Sequence, residues 1–336
     1  VTALVKISIS IIPVFIFLSA LVFLDSYKLV RMRAIVQTIL AGCVVGVVCF
    51  FITSWVFRQF DWELGFYSRY ISPLLEESLK ACYILYLIRK KKIGFMVDGA
   101  IYGFAVGAGF AVVENIDYLI SLQESNLFLW VIRGFGTAVM HGGTTSIFAI
   151  LTKSVSQQQP SERVYHYVPG FLVAVAIHSF FNQFLFDPRL TTVVQLIALP
   201  VLIAIIFTRS EKALRDWLEL GLDTDVLILE HIIEGRISET KIGSYLDSLK
   251  SQFPGEVVAD MLCYLRIYLE LAIRAKGMLM MRGAGFAYLV DVETKERFAE
   301  LRYLEKSIGK TGKLAISPLL HGNTRDLWQL FLIDEK

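Results

Sequence analysis

Charge is scarce in this chain. Of its 336 residues only 33 are Lys or Arg and 31 are Asp or Glu, for a net charge of +2. No basic stripe gathers on one face, so there is no electrostatic footprint of a nucleic-acid binder. Cysteine is scarce too. Cys43, Cys49 and Cys82 lie inside apolar runs and Cys263 outside them, with no CxxC and no repeated spacing. A disulfide framework and a thiolate zinc site are therefore not indicated, and the four read as small packing residues. The H-E-x-x-H helix of many zinc proteases is missing. So are low-complexity segments and the internal repeats that build many transporters.

Apolar residues, by contrast, are in excess. They make up 55% of the chain, and the mean hydropathy is +0.57. Ordinary soluble domains hold roughly 45–50%. The excess sits in long runs between about residues 7 and 208, whereas 209–336 reads as ordinary soluble sequence. Two regions adapted to two solvents follow.

The runs 7–24, 35–57, 71–88, 95–119, 127–152, 167–187 and 191–208 each approach the roughly 20 residues a spanning helix needs. They predict an all-α transmembrane domain of seven helices over 1–208, with a soluble, mainly helical domain over 209–336. Asp187-Pro188-Arg189 predicts a tight turn between the last two. The first run is bounded only by Lys6 and lacks an A-x-A-like cleavage site, so it reads as a retained helix rather than a signal peptide.

Short-loop charge sets the orientation. With the N-terminus outside, the inner loops hold nine basic residues: Lys28, Arg31, Arg33, Arg89, Lys90, Lys91, Lys92, Lys153 and Arg163. The outer segments hold five: Lys6, Arg58, Arg69, Arg133 and Arg189. This bias predicts N-out, C-in, and a tail in the cytoplasm. In the tail, 213–220, 226–233, 241–249 and 256–281 show helical apolar spacing. Residues 286–290 suggest a strand.

Ionisable groups inside lipid are expensive, so each asks for a partner or a function. Glu76, Glu77, Glu114, His141 and His178 are such groups, and Asn182 adds an amide. Ser72 suits an N-cap and Pro73 the first helical position, which would put Glu76 one turn inside its helix. The helix dipole and Lys80 at i+4 favour the charge on Glu76, and burial opposes it. A carboxylate so balanced suits a general base; a plain ion pair with Lys80 is the blander alternative. Gly99, Gly103 and Gly107 recur every four residues and predict close helix packing. Glu114, seven residues beyond Gly107, shares that face and so points at a helix contact. His178 and Asn182 share a face at i, i+4. In the N-out topology Glu76, Glu114, His178 and Asn182 lie one to two turns from the outer helix ends. His141 joins that layer if its helix begins near Gly134.

The ordered pattern Glu76-Glu77-x-x-Lys80, Phe110-x-x-x-Glu114-Asn115, His141, His178-x-x-x-Asn182 resembles the PrsW-type intramembrane proteases. The stretch 98–118, with its Asp-Gly start and glycine-rich run, is similar in detail, and the resemblance covers about residues 71–187. More distantly it extends to the CAAX prenyl endopeptidases. It implies peptide-bond cleavage at or within the membrane, best known as site-1 cleavage of a bacterial anti-sigma factor. It also implies a bacterial or archaeal cell membrane and a membrane-anchored protein substrate. Carried over by motif, Glu76, Glu77, Glu114, His141, His178 and Asn182 form the active site. Residues 209–336 fall outside the resemblance and predict a regulatory domain or a site for a cytoplasmic protein partner.

Hydrolysis needs an activated water, a proton donor and oxyanion stabilisation. No buried Ser or Cys pairs with a His in sequence, which favours water as nucleophile. Glu76 or Glu77 would be the base. His178 and Asn182 would hold the oxyanion, and His141 and Glu114 would orient water or move the proton. Two chemistries fit: a glutamate-activated water with no cofactor, or Zn²⁺ drawing on Glu77, Glu114, His141 and His178. The rivals are a proton-coupled transporter, since the same residue types build proton relays, and a non-catalytic receptor or scaffold.

Overall fold

The computed structural model describes residues 3–25, 30–90, 92–121, 126–156, 164–183, 187–284, 286 and 292–320. Among the described residues every regular element is a helix. The strand expected at 286–290 lies outside them except for Phe286, which is irregular. Lys28, Lys91 and Arg163 of the basic tally lie outside them too. The chain divides into two compact units, Val1–Ser210 and Glu211–Lys336.

Among the described residues four helices are long and apolar enough to cross a membrane: α1 (Ala3–Leu24), α2 (Met32–Gln59), α5 (Met96–Ser121) and α9 (Pro188–Ile233). The protein is an integral membrane protein with several candidate spans. Between them lie α3 (Leu64–Phe66), α4 (Ser72–Arg89), α6 (Leu127–Ile132), α7 (Val139–Ser156) and α8 (Val168–Asn182). These take up the other expected spans, and they miss that standard for physical reasons. Helix α4 carries Glu76, Glu77, Lys80 and Arg89, and α8 has only 15 residues.

Helix α5 is the axis of the first unit. Its most apolar stretch is 83% buried, against 28%, 28% and 22% for α1, α2 and α9, which turn most of their apolar surface outward. Glycine explains the position. A Cβ on Gly103 would lie 2.6 Å from the Thr145 carbonyl oxygen, and one on Gly107 would lie 2.2 Å from that of His141. On the α2 side a Cβ on Gly109 would meet the Ile39 carbonyl oxygen at 2.0 Å. Helix α5 is therefore pressed backbone to backbone against α7 and α2, as the glycine stripe predicts.

Three local expectations are corrected. Ser72 does not cap a helix. The chain is already helical from Leu64, through α3 and a π-helical turn at Tyr67–Ile71, straight into α4. Ser72 Oγ instead donates to Glu76 Oε1 at 2.6 Å. The wide turn lets Pro73 sit in a continuing helix, where its ring would otherwise crowd the carbonyl of Arg69.

The fifth run keeps the start its apolar bounds predict, so the condition that the helix of His141 begin near Gly134 is not met. It starts at Leu127, where Asn126 accepts from Phe128 N at 3.0 Å, and passes through a π-helical turn at Arg133–Ala138 into α7. Gly134 lies inside that turn, where a Cβ would sit 2.3 Å from the Ile9 carbonyl oxygen.

Helix α9 absorbs the segments 191–208, 213–220 and 226–233 into one element. Pro188 begins it, and Asp187 Oδ1 accepts from Arg189 N at 2.8 Å. The charges after Phe207 change polarity and not helix propensity. Gly235, at φ 71°, ends it, with Arg236 N bonded to His231 O at 2.9 Å.

The second unit packs α10 (Lys241–Ser248), α11 (Gly255–Gly283) and α12 (Val292–Ile316) around Leu246, Met261, Leu265, Leu269, Phe298 and Leu304. Gly309, at φ 67°, kinks α12. Within this unit Lys276 and Asp225 form a buried ion pair of 2.7 Å.

Candidate functional site

Helices α4, α5, α7 and α8 bring Glu76, Glu77, Glu114, His141 and His178 together. Glu77 is 2% exposed, and its Oε1 accepts three hydrogen bonds: from Lys80 Nζ at 2.5 Å, His178 Nδ1 at 2.8 Å and Thr144 Oγ1 at 3.2 Å. Lys80 and His178 are as deeply buried. Charges taken out of water persist only when paired in this way. Lys80 thus pairs with Glu77 at i+3, and not with Glu76 at i+4 as its spacing suggested. The inward face of α4 holds 77 and 80, and Glu76 lies at its edge.

A second carboxylate–histidine pair stands beside the first. Glu114 Oε2 lies 2.9 Å from His141 Nε2 and 3.3 Å from the guanidinium of Arg133. Arg133 Nε donates to Asn115 Oδ1 at 2.8 Å, and its guanidinium stacks 3.6 Å from the Tyr118 ring. Asn115 in turn donates to the Ser10 carbonyl of α1 at 3.1 Å. The two imidazoles meet edge to face, 4.9 Å between centroids. A carboxylate can only accept, so each histidine carries its proton on the nitrogen facing its glutamate. That leaves Nε2 of His178 and Nδ1 of His141 as lone-pair donors.

Glu76 supplies a third donor. Its Oε1 is held by Ser72, while its Oε2 is buried without a hydrogen-bond partner among the described residues. His178 Nε2 lies 3.8 Å from that oxygen, too far for a hydrogen bond. Glu76, His141 and His178 offer ligand atoms within 4.8 Å of one another. Ligands at 2.0–2.1 Å from one zinc ion spread over roughly 3–4 Å, so small side-chain rotations would close this set. Two imidazoles and a carboxylate, each imidazole oriented by another carboxylate, are a donor chemistry that zinc accepts. The expected quartet Glu77, Glu114, His141 and His178 divides accordingly. The histidines face the donor centre, and Glu77 and Glu114 stand behind them.

Glu76 and Glu114 line a cavity of about 350 Å³ between α2, α4 and α5, with Ser72, Phe110 and Asp117. Helix α2 touches α5 closely at Gly42 and Val106, and the cavity opens from Gly46 onward. Its rim includes the exposed Phe50, Phe51 and Ile120.

Asn182 is placed differently. Its amide donates to the Ser68 carbonyl at 3.0 Å, tying the end of α8 to the π-helical turn ahead of α4. Sequence reasoning missed Arg133, counted only as an outer charge, although it is 6% exposed and holds Glu114. A cation inside the run 127–152 was the available signal. Asn115 was singled out only as part of the motif that carries the resemblance, and Thr144 gave no signal, being an ordinary helix residue until its partner is known.

A family model described as PrsW family intramembrane metalloprotease matches residues 30–207. The chain is 29% identical over 126 residues to Protease PrsW of Clostridioides difficile (strain 630), a stretch covering 36% of this chain and 52% of that protein. The chain therefore spans about half the length of that curated relative. No solved structure matches.

Proposed function

Because the chain belongs to the PrsW family of intramembrane metalloproteases, we propose that it hydrolyses peptide bonds of a membrane-anchored protein substrate at the Glu76–His141–His178 centre. The observation that carries this reading is the convergence of three donor atoms within 4.8 Å, with a second carboxylate behind each histidine. A transporter needs no such donor set beside a cavity open to a peptide.

Each residue has a part. Glu76, His141 and His178 would hold a zinc ion. When bound, zinc supplies a Lewis acid that polarises the scissile carbonyl. Glu77 is a positioning residue: with three donors on one oxygen it fixes the ring of His178. Glu114 also lines the cavity and, at 24% exposed, is open to a water held there. It takes the proton of the attacking water and returns it to the leaving amine. Arg133 keeps that carboxylate against His141. Asn182, committed to Ser68, braces α8 rather than an oxyanion.

The fuller architecture belongs to the same proposal. Helices α1, α2, α4, α5, α6 with α7, α8 and the first part of α9 make seven spans, with the N-terminus outside and residues 209–336 in the cytoplasm. The tail serves regulation or a cytoplasmic protein partner.

The test uses purified full-length chain in lipid vesicles with a transmembrane reporter peptide. Chelation by phenanthroline abolishes cleavage and Zn²⁺ restores it. Cleavage indifferent to chelators, or retained in both Glu76→Gln and Glu114→Gln, would remove the reading.

A further inference from the structure

Lys80 stands where its charge conflicts with the donor set. It is 0% exposed, and its ammonium lies 3.2 Å from His141 Nδ1 as well as 2.5 Å from Glu77 Oε1. It also lies 4.8 Å over the Phe110 ring. Nε2 of His141 is committed to Glu114 at 2.9 Å, so Nδ1 is the nitrogen an ion can use. An ammonium has hydrogens and no lone pair; next to a ring nitrogen it can only donate. The Nδ1 lone pair therefore serves either Lys80 or an ion, and never both. Charge adds to the exclusion, since a divalent cation at that nitrogen would face the ammonium at close range in a buried site.

We propose that Lys80 is an internal competitor for the metal. An ion enters the Glu76–His141–His178 set only as the Lys80 ammonium leaves His141 and rests on Glu77 alone. This inference rests on the reading of those three residues as ligands. The geometry suits an exchange. Glu77 Oε1 keeps one strong contact for Lys80 after the other is given up, so the cation shifts within the site and stays paired. Lys80 thereby lowers the affinity of the site and makes the ion exchangeable, and it holds Glu77 and His141 in register.

Zn²⁺ affinity tests this without reference to proteolysis. Full-length chain in detergent is titrated with Zn²⁺ against a chromophoric chelator, as wild type, Lys80→Met, His141→Ala and the double variant. Lys80→Met should bind Zn²⁺ tighter by about tenfold or more, the worth of one charge-assisted hydrogen bond. His141→Ala should abolish the gain in the double variant. Zn²⁺ should also raise the melting temperature of Lys80→Met more than that of wild type.

Equal or weaker binding by Lys80→Met, with His141 still required, overturns the competition while leaving the ligand set intact. Zn²⁺ binding that ignores His141 in every variant overturns both, and marks the failure as that of the ligand set. Should Lys80→Met not fold, Lys80→Gln keeps a donor for Glu77 and removes the charge. It should show the same direction of change, and its failure to do so counts equally against the proposal.

Discussion

At the scale of single residues, the site follows from what lipid does to charge. Glu76, Glu77, Glu114, His141 and His178 were legible in the sequence because each is an ionisable group in an apolar run. Their different surroundings were not legible. Adjacent glutamates on one helix differ by about 100° in direction, and only packing shows that Glu77 turns inward and Glu76 lies at a cavity edge. This difference predicts two unlike variants. Glu76→Gln removes a donor but no buried partner, so Zn²⁺ binding and cleavage should fall to background with the melting temperature nearly unchanged. Glu77→Gln leaves the ammonium of Lys80 without its carboxylate, which costs about 3–5 kcal/mol for a buried pair broken on one side. Thermal unfolding in detergent should show the loss, and equal melting temperatures for the two variants would contradict the burial argument. Arg133 went unread because a basic residue was assumed to mark a membrane edge. Its partners Glu114 and Asn115 are 19 and 18 residues upstream, a proximity that only the α5–α7 packing creates.

At the scale of helices, the element order was readable and several boundaries were not. Apolar runs and glycine spacing located α1, α2, α4 and α5 to within a few residues. The π-helical turns at 67–71 and 133–138 left no sequence signature, because they arise from fitting a proline and close neighbours into otherwise regular helices. Both turns precede site residues: Glu76 and Glu77 after the first, His141 after the second. The glycine seam between α5 and α7 gives a sharp prediction. A methyl at Gly107 would lie 2.2 Å from a carbonyl oxygen, so α5 and α7 must separate to admit it. Overpacking of this kind costs about 1–3 kcal/mol. Gly107→Ala should lower the melting temperature and also move Glu114 away from His141, reducing cleavage well beyond the stability loss. By contrast Gly277→Ala, where a Cβ meets nothing within 4 Å, should be neutral or slightly stabilising in the same assay.

At the scale of the whole molecule, composition predicts a change of solvent near residue 209, and the structure divides into two compact units, Val1–Ser210 and Glu211–Lys336. Composition says nothing of what the second unit binds, because a soluble helical core uses the same residues whatever its partner. Two measurements address the arrangement. Single cysteines placed in the tail should resist membrane-impermeant reagents in intact cells and react after permeabilisation; labelling without permeabilisation would invert the proposed topology. Truncation after residue 233, which spares α9, should leave Zn²⁺ binding by the first unit unchanged, whereas loss of binding in a folded truncation would make the tail part of the centre.

The wedge between α2 and α5 sets a limit on what can be cut. In a coiled substrate each backbone carbonyl is bonded along the helix, and Glu76 and Glu114 line a cavity walled by α2, α4 and α5. A substrate helix cannot offer a free scissile carbonyl to these carboxylates while it remains coiled. It must first surrender backbone hydrogen bonds, and in hydrocarbon that step is steep unless the segment is already weak. Selection then falls on helical instability rather than on side-chain identity. Reporters with Gly-Pro placed near the scissile bond should be cleaved faster than Leu-Ala versions of equal hydrophobicity, and the protein would act as a reader of where a membrane helix is prepared to come undone.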